Sequence, residues 1–213
     1  VLPAEIGMLR LRWWQAGVEV AVVEVPRGAL EAIAASRGSP EEVWLGTRLL
    51  PATGEFEAGT LHNPGPFWEW EVAPRLNLQL GDPSRTLRWQ AALMAGARVE
   101  LGAGFAVAGA LQQALAGNLS GGLPSDSVLP HVRTDYAEYA REGETAVAAL
   151  YAERIWNLAP DVFARTTVGY LEPMFGGVSG EVLWKPAGSR LAVGAEVNYV
   201  AQRAPDGGLG FDL

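Results

Sequence analysis

The sequence predicts a mainly β chain: part of an antiparallel, outer-membrane-type β-barrel preceded by a small α/β domain. Three observations predict it. Apolar and polar residues alternate over runs long enough to cross a bilayer as tilted strands. Glycine is abundant, 26 of 213 residues, and glycine is a poor helix former. Tryptophans fall near the ends of the alternating runs, where an interfacial aromatic girdle sits.

Residues 1–60 read as the α/β domain. Two apolar stretches between residues 9 and 25 flank Gln15-Ala16-Gly17, a turn signal, and Val18, Val20 and Val22 alternate with Glu19 and Ala21. Pro26 and Gly28 punctuate the chain, and residues 29–35 form a helix that ends near Gly38. Ser39-Pro40-Glu41-Glu42 is a helix start, with Ser as N-cap, Pro at the first helical position and acids in the first turn. Val43, Trp44 and Leu45 are expected on that helix's buried side. Residues 51–66 hold three prolines and three glycines and mark the domain boundary.

Residues 61–213 read as the barrel segment. In the first run Trp68, Trp70, Val72, Leu76, Leu78 and Leu80 are apolar, and Glu69, Glu71, Arg75, Asn77 and Gln79 are polar. Side chains of a strand point alternately to its two faces, so one face is oily and the other wet. Pro74 lacks a ladder donor and implies a bulge or an edge position. The next run puts Leu87, Trp89, Ala91, Leu93, Ala95, Ala97, Val99 and Leu101 on one face and Arg88, Gln90, Arg98 and Glu100 on the other. Further strands are expected at 105–115, 146–157, 162–171, 178–184 and 191–203. Soluble strands usually run to about five or six residues, whereas a tilted membrane strand needs about 9–11. The alternation also suits a soluble antiparallel sheet or a lipocalin-like barrel, and strand length favours the membrane. Residues 117–145 interrupt the rhythm as a loop and helix insertion, with a short helix from Asp135 to Glu142 capped by Thr134 or Asp135 and stopped at Gly143.

Composition excludes several function classes. The net charge is −8 with no basic run, which argues against nucleic acid as a partner. The absence of cysteine removes disulfides, thiol catalysis and Cys-ligated zinc, and His62 and His131 are too few and too far apart for a His-rich metal site. No cofactor or metal is implied. There is no apolar run of about 18 residues, so no transmembrane helix is expected. The chain opens at Val1 and stops at Leu213 just as a strand could begin, and it reads as part of a longer protein.

Specific motifs sharpen this. Leu129-Pro130-His131-Val132-Arg133-Thr134-Asp135 is followed by Tyr170-Leu171-Glu172-Pro173-Met174-Phe175-Gly176-Gly177-Val178 and Glu181-Val182-Leu183-Trp184. Val193-Gly194-Ala195-Glu196-Val197-Asn198 and Gln202-Arg203 come last. Together these resemble the YjbH family of outer-membrane proteins, the GfcD-like group found with exopolysaccharide and capsule clusters. Ser39-Pro40-Glu41-Glu42-Val43-Trp44 resembles the small domain that precedes a barrel in that family. The resemblance implies an outer-membrane lipoprotein with a β-barrel, located in the bacterial outer membrane and acting in exopolysaccharide secretion or assembly. Its partners would be exopolysaccharide, outer-membrane lipid and other export proteins. About seven strands are visible, and bacterial barrels are usually even-numbered, so this piece is not expected to close alone.

Catalysis is not expected. Glu172, Glu181 and Glu196 lie in neighbouring strands, and two carboxylates about 5–9.5 Å apart can cleave a glycosidic bond. The favoured reading makes them lumen-facing wall residues, paired with Arg165, Lys185 or Arg203. Arg165, Glu181, Glu196 and Asn198 are the candidate lumen-facing contacts to sugar hydroxyls. Ser125, His131 and Asp135 lack the Gly-x-Ser-x-Gly elbow of a hydrolase, and Gly102-x-Gly104 lacks the rest of a dinucleotide fingerprint. The remaining alternatives are a soluble carbohydrate-binding β domain and a periplasmic glycan hydrolase acting through Glu172 or Glu181.

Overall fold

The structure is a computed structural model that describes residues 6–52, 67–82, 84–123, 128 and 132–211. It contains two antiparallel sheets. The first is formed by β1 (Met8–Gln15), β2 (Val18–Pro26) and β3 (Arg48–Pro51), in that order. Between β2 and β3 lie helices α1 (Arg27–Ala34) and α2 (Pro40–Gly46). The hairpin turns at Ala16-Gly17, as the sequence indicates, and both turn residues have positive φ. Helix α2 starts in a capping box: the Ser39 hydroxyl accepts from the Glu42 backbone N–H, and the Glu42 carboxylate accepts from the Ser39 N–H. One expectation fails here. Val43 is half-buried, but Trp44 and Leu45 are 75% and 84% exposed. One turn of helix presents only a narrow stripe to its neighbour, and three consecutive residues cannot share it.

The second sheet is a seven-stranded meander: β4 (Phe67–Asp82), β5 (Arg85–Gly102), β6 (Phe105–Gly117), β7 (Thr145–Ala159), β8 (Val162–Tyr170), β9 (Phe175–Trp184) and β10 (Val193–Gln202). Each strand pairs antiparallel with its sequence neighbour. The alternating runs of the sequence become these strands, four of them 13 to 18 residues long. The sheet is open: among the described residues β4 and β10 each have one neighbour only. Pro74 lies in β4, an edge strand, where a missing ladder donor is tolerated.

The connection between β6 and β7 carries a 3-10 turn (Leu119–Gly121) and helix α3 (Tyr136–Glu142). Asp135 occupies the N-cap of α3, but its side chain makes no cap bond and instead accepts from the Gln202 amide at 3.1 Å. His62, His131, Ser125 and most of the expected boundary at 51–66 lie outside the described residues.

The two sheets meet turn to turn. A Cβ on Gly17 would stand 2.8 Å from the Gly104 backbone nitrogen, and one on Gly104 would stand 1.8 Å from the Ile155 carbonyl oxygen. Gly104 has φ +78, so both its conformation and its surroundings require glycine. The Asn157 amide donates to the Glu19 carbonyl oxygen at 3.0 Å across the same contact.

Candidate functional site

The seven-stranded sheet is built inside out. Register places Trp68, Val99, Val107, Ala152, Val168, Val178 and Tyr199 in one cross-strand row on one face. Every second residue from these carries on that face, and it is apolar almost throughout. Its large side chains are exposed: Trp70 is 66% accessible, Leu80 71% and Tyr199 87%. Apart from Asp82 and Arg85, paired at the strand ends, its one charged side chain among the described residues of the seven strands is Arg154. That guanidinium lies 4.7 Å from the Phe105 ring centroid and 5.6 Å from that of Trp156. The buried apolar residues of this sheet are mostly small, among them Ala92, Ala106, Ala146, Ala148 and Ala164. A soluble sheet does the opposite, burying its large apolar side chains and wetting its charges.

The other face is polar, sheltered on the central strands and exposed on the edge strands, where Glu69, Glu71, Glu196 and Asn198 stand open. Glu153, Thr167 and Ser179 are 7%, 8% and 5% exposed. One row runs Glu100, Ala106, Glu153, Thr167, Ser179, Asn198 and the adjacent one Ile155, Arg165, Glu181, Glu196. All four sequence candidates therefore meet on β8, β9 and β10. Arg165 and Glu181 are direct cross-strand partners and form an ion pair at 2.7 Å. Glu196 stands opposite Glu181 and accepts from the Ser179 hydroxyl at 2.7 Å. Asn198 stands opposite Ser179. Glu172 is apart from them, in the β8–β9 connection, with Arg133 at 2.8 Å.

The sequence reading missed half of this belt. Arg98 on β5 donates to Glu153 on β7, reaching across β6. The residues in between are Ala106 and Ala108, and their short side chains leave the path open. Small residues flanked by charges on both neighbouring strands were the available signal. A depression of about 710 Å³ is lined here by Glu69, Glu71, Gly96, Arg98, Ala110 and Tyr151.

The sheet end that bears α3 is closed by a polar cluster. Tyr136 of α3 donates to Asp82, which also accepts from the Ser84 and Arg85 N–H groups and pairs with Arg88 at 3.1 Å. Burial and this bond to Asp82 raise the Tyr136 phenol above its usual value. Arg203 is fully buried. It donates to the carbonyls of Val147, Glu172 and Gly208 at 2.7–2.8 Å and lies 4.6 Å from the Tyr170 ring centroid. Arg203 was expected to meet a glutamate carboxylate, but it serves carbonyls and anchors the tail. Burial pulls its guanidinium down, against the nearby Tyr170, Tyr139 and Asp206.

Among the described residues no cluster of three His, Cys, Asp or Glu is arranged for a metal ion, and no helix is long and apolar enough to cross a membrane. No solved structure matches the chain. The sequence is 34% identical over 140 residues to the uncharacterized lipoprotein YjbH of Escherichia coli (strain K12), covering 64% of this chain and 20% of that protein. It thus spans about a fifth of that relative's length. Residues 1–212 match the family described as "Exopolysaccharide biosynthesis protein YbjH". This match covers the motifs at 129–203 and the early Ser39-Pro40-Glu41-Glu42 alike, and the chain belongs to the YjbH exopolysaccharide biosynthesis family.

Proposed function

We propose that β4–β10 form part of an outer-membrane β-barrel wall through which exopolysaccharide is secreted or assembled, without catalysis. Residues 1–60 act as a small α/β domain ahead of that wall, and residues 61–213 supply the wall itself. The observation that carries this reading is the inverted sheet, with exposed large apolar side chains on one face and mutually bonded polar groups, sheltered on the central strands, on the other. An apolar exterior and a polar interior define a bacterial barrel.

Four of the outward aromatics, Trp68, Phe105, Trp156 and Trp184, support it quantitatively. Relative to the row from Trp68 to Tyr199, and counting toward the sheet end that meets β1 and β2, Phe105 lies two residues beyond its row position. Trp156 lies four beyond and Trp184 six. The line therefore climbs about 1.2 residues per strand. With a rise of about 3.3 Å per residue and strands about 4.8 Å apart, it is level when strands tilt by about 40°. Barrel strands tilt by about 35–45°. Trp68 to Leu78 then spans about 25 Å along the membrane normal, the height of a barrel's apolar band.

On the polar face Arg165, Glu181, Glu196 and Asn198 offer donors and acceptors to passing hydroxyls. The carboxylates of Glu181 and Glu196 are engaged by Arg165 and Ser179, which favours binding over acid–base chemistry. The relative's description as a lipoprotein agrees with a place in the envelope.

The test is fractionation of the full-length protein with gel mobility before and after boiling. Recovery with the outer membrane and a heat-dependent shift are expected. A soluble protein with no shift would overturn the barrel reading and direct attention to glycan binding.

A further inference from the structure

We infer that the sheet end meeting the β1–β2 hairpin faces the periplasm and that the end bearing α3 and residues 203–211 faces the cell exterior. This rests on the outer-membrane reading above. Connection lengths differ between the two ends. At the hairpin end, β5–β6 and β7–β8 are joined by two residues each and β9–β10 by eight. At the other end, β4–β5 is joined by two residues, β8–β9 by four and β6–β7 by twenty-seven. Outer-membrane barrels have short periplasmic turns and longer extracellular loops.

A second observation concerns how the connections are fastened. The connections at the α3 end are fastened to one another by side chains: Tyr136 to Asp82, Gln202 to Asp135, and Arg203 to Val147, Glu172 and Gly208. Arg133 joins them through Glu172 at 2.8 Å. Such a cap needs connections long enough to fold back on the sheet, and the two-residue turns at the other end cannot supply one. The two-residue turns instead receive a separate folded unit, through Gly17 on Gly104 and Asn157 on Glu19. The cap is then the surface the protein shows to the medium, and the β1–β3 unit is open to periplasmic partners.

The test uses the full-length protein in whole cells and exploits a chain without cysteine. Glu138→Cys and Glu142→Cys mark the cap, and Arg37→Cys and Arg190→Cys mark the opposite end; all four positions are exposed. The probe is a polyethylene-glycol maleimide too large for porins, with the parent protein as background. The cap positions are expected to react in intact cells at least ten-fold faster than Arg37→Cys and Arg190→Cys. Those two should match them once the outer membrane is permeabilised. The reverse pattern, or equal labelling of both ends in intact cells, overturns the orientation. A reversed pattern in a protein that still fractionates with the outer membrane sinks the orientation alone. Recovery in the soluble fraction sinks the barrel reading beneath it.

Discussion

Replacing Val168 by arginine asks directly what lies against the apolar face. Val168 is on that face of β8 and is 52% exposed. The aromatic line, extended to β8, passes about five residues nearer the hairpin end. Five residues at about 3.3 Å, inclined by about 40°, put Val168 some 12–13 Å below the ring, close to the middle of a ~25 Å apolar band. An arginine at the midplane of a membrane barrel costs about 2–4 kcal/mol, falling to about 0–1 kcal/mol near the interfaces. That is a loss of roughly 30- to 900-fold in the folded-to-unfolded ratio. Val193 stands opposite Trp184, at the level of the ring, and Val193→Arg is the matched control. The assay is urea titration of the full-length protein in lipid vesicles, read by the heat-modifiable band. Val168→Arg within about 0.5 kcal/mol of the parent, the result expected at a water-facing site, would refute the reasoning. So would a Val193→Arg penalty as large as that of Val168→Arg.

Glu181→Gln breaks a partly exposed pair with Arg165, so its cost to stability should stay below about 1 kcal/mol, while polymer release falls several-fold; normal release would remove Glu181 from the polymer's path. Arg203→Met strands three carbonyls and should loosen the tail by roughly 2–4 kcal/mol, seen as new protease cleavage within 203–211 while the sheet stays intact. Unchanged cleavage would show that Arg203 is not the anchor. Gly104→Ala forces a Cβ against the Ile155 carbonyl and should lower the urea midpoint, whereas Gly28→Ala, with nothing within 4 Å, should not; equal midpoints contradict the close passage of the β5–β6 turn against β7. The raised Tyr136 phenol favours the protonated, folded cap. Its contribution is complete below pH ~10 and is lost as pH climbs through the raised value, so protease sensitivity of the cap should increase only above pH ~10. A Tyr136→Phe variant should lack that step.

The strands were legible because alternation is a local property. Each run from Trp68 onward states which residues share a face, and register only had to align faces already defined. That Arg165, Glu181, Glu196 and Asn198 share one face was legible for the same reason, since they are polar positions in runs whose other face is oily. Pairings were less so. Nothing near Arg98 names Glu153 as its partner, 55 residues away, and only the register of three strands brings them together. Strand β3 was invisible because Arg48-Leu49-Leu50-Pro51 is too short to alternate, and Trp44 and Leu45 were misplaced because a seven-residue helix has too little periodicity to fix its buried stripe.

Pairing in the meander is wholly between sequence neighbours, and this shapes how the structure can arise and vary. Its ladders close loops of a few residues, apart from the β6–β7 junction, so contact order is low and hairpins can zip one after another. A duplicated hairpin could be spliced in at β4 or β10 without disturbing any register between them. In such a lineage the sheet, and on the proposed reading the bore of the barrel it belongs to, can widen by whole hairpins, while the charged rungs on β8 to β10 keep their spacing.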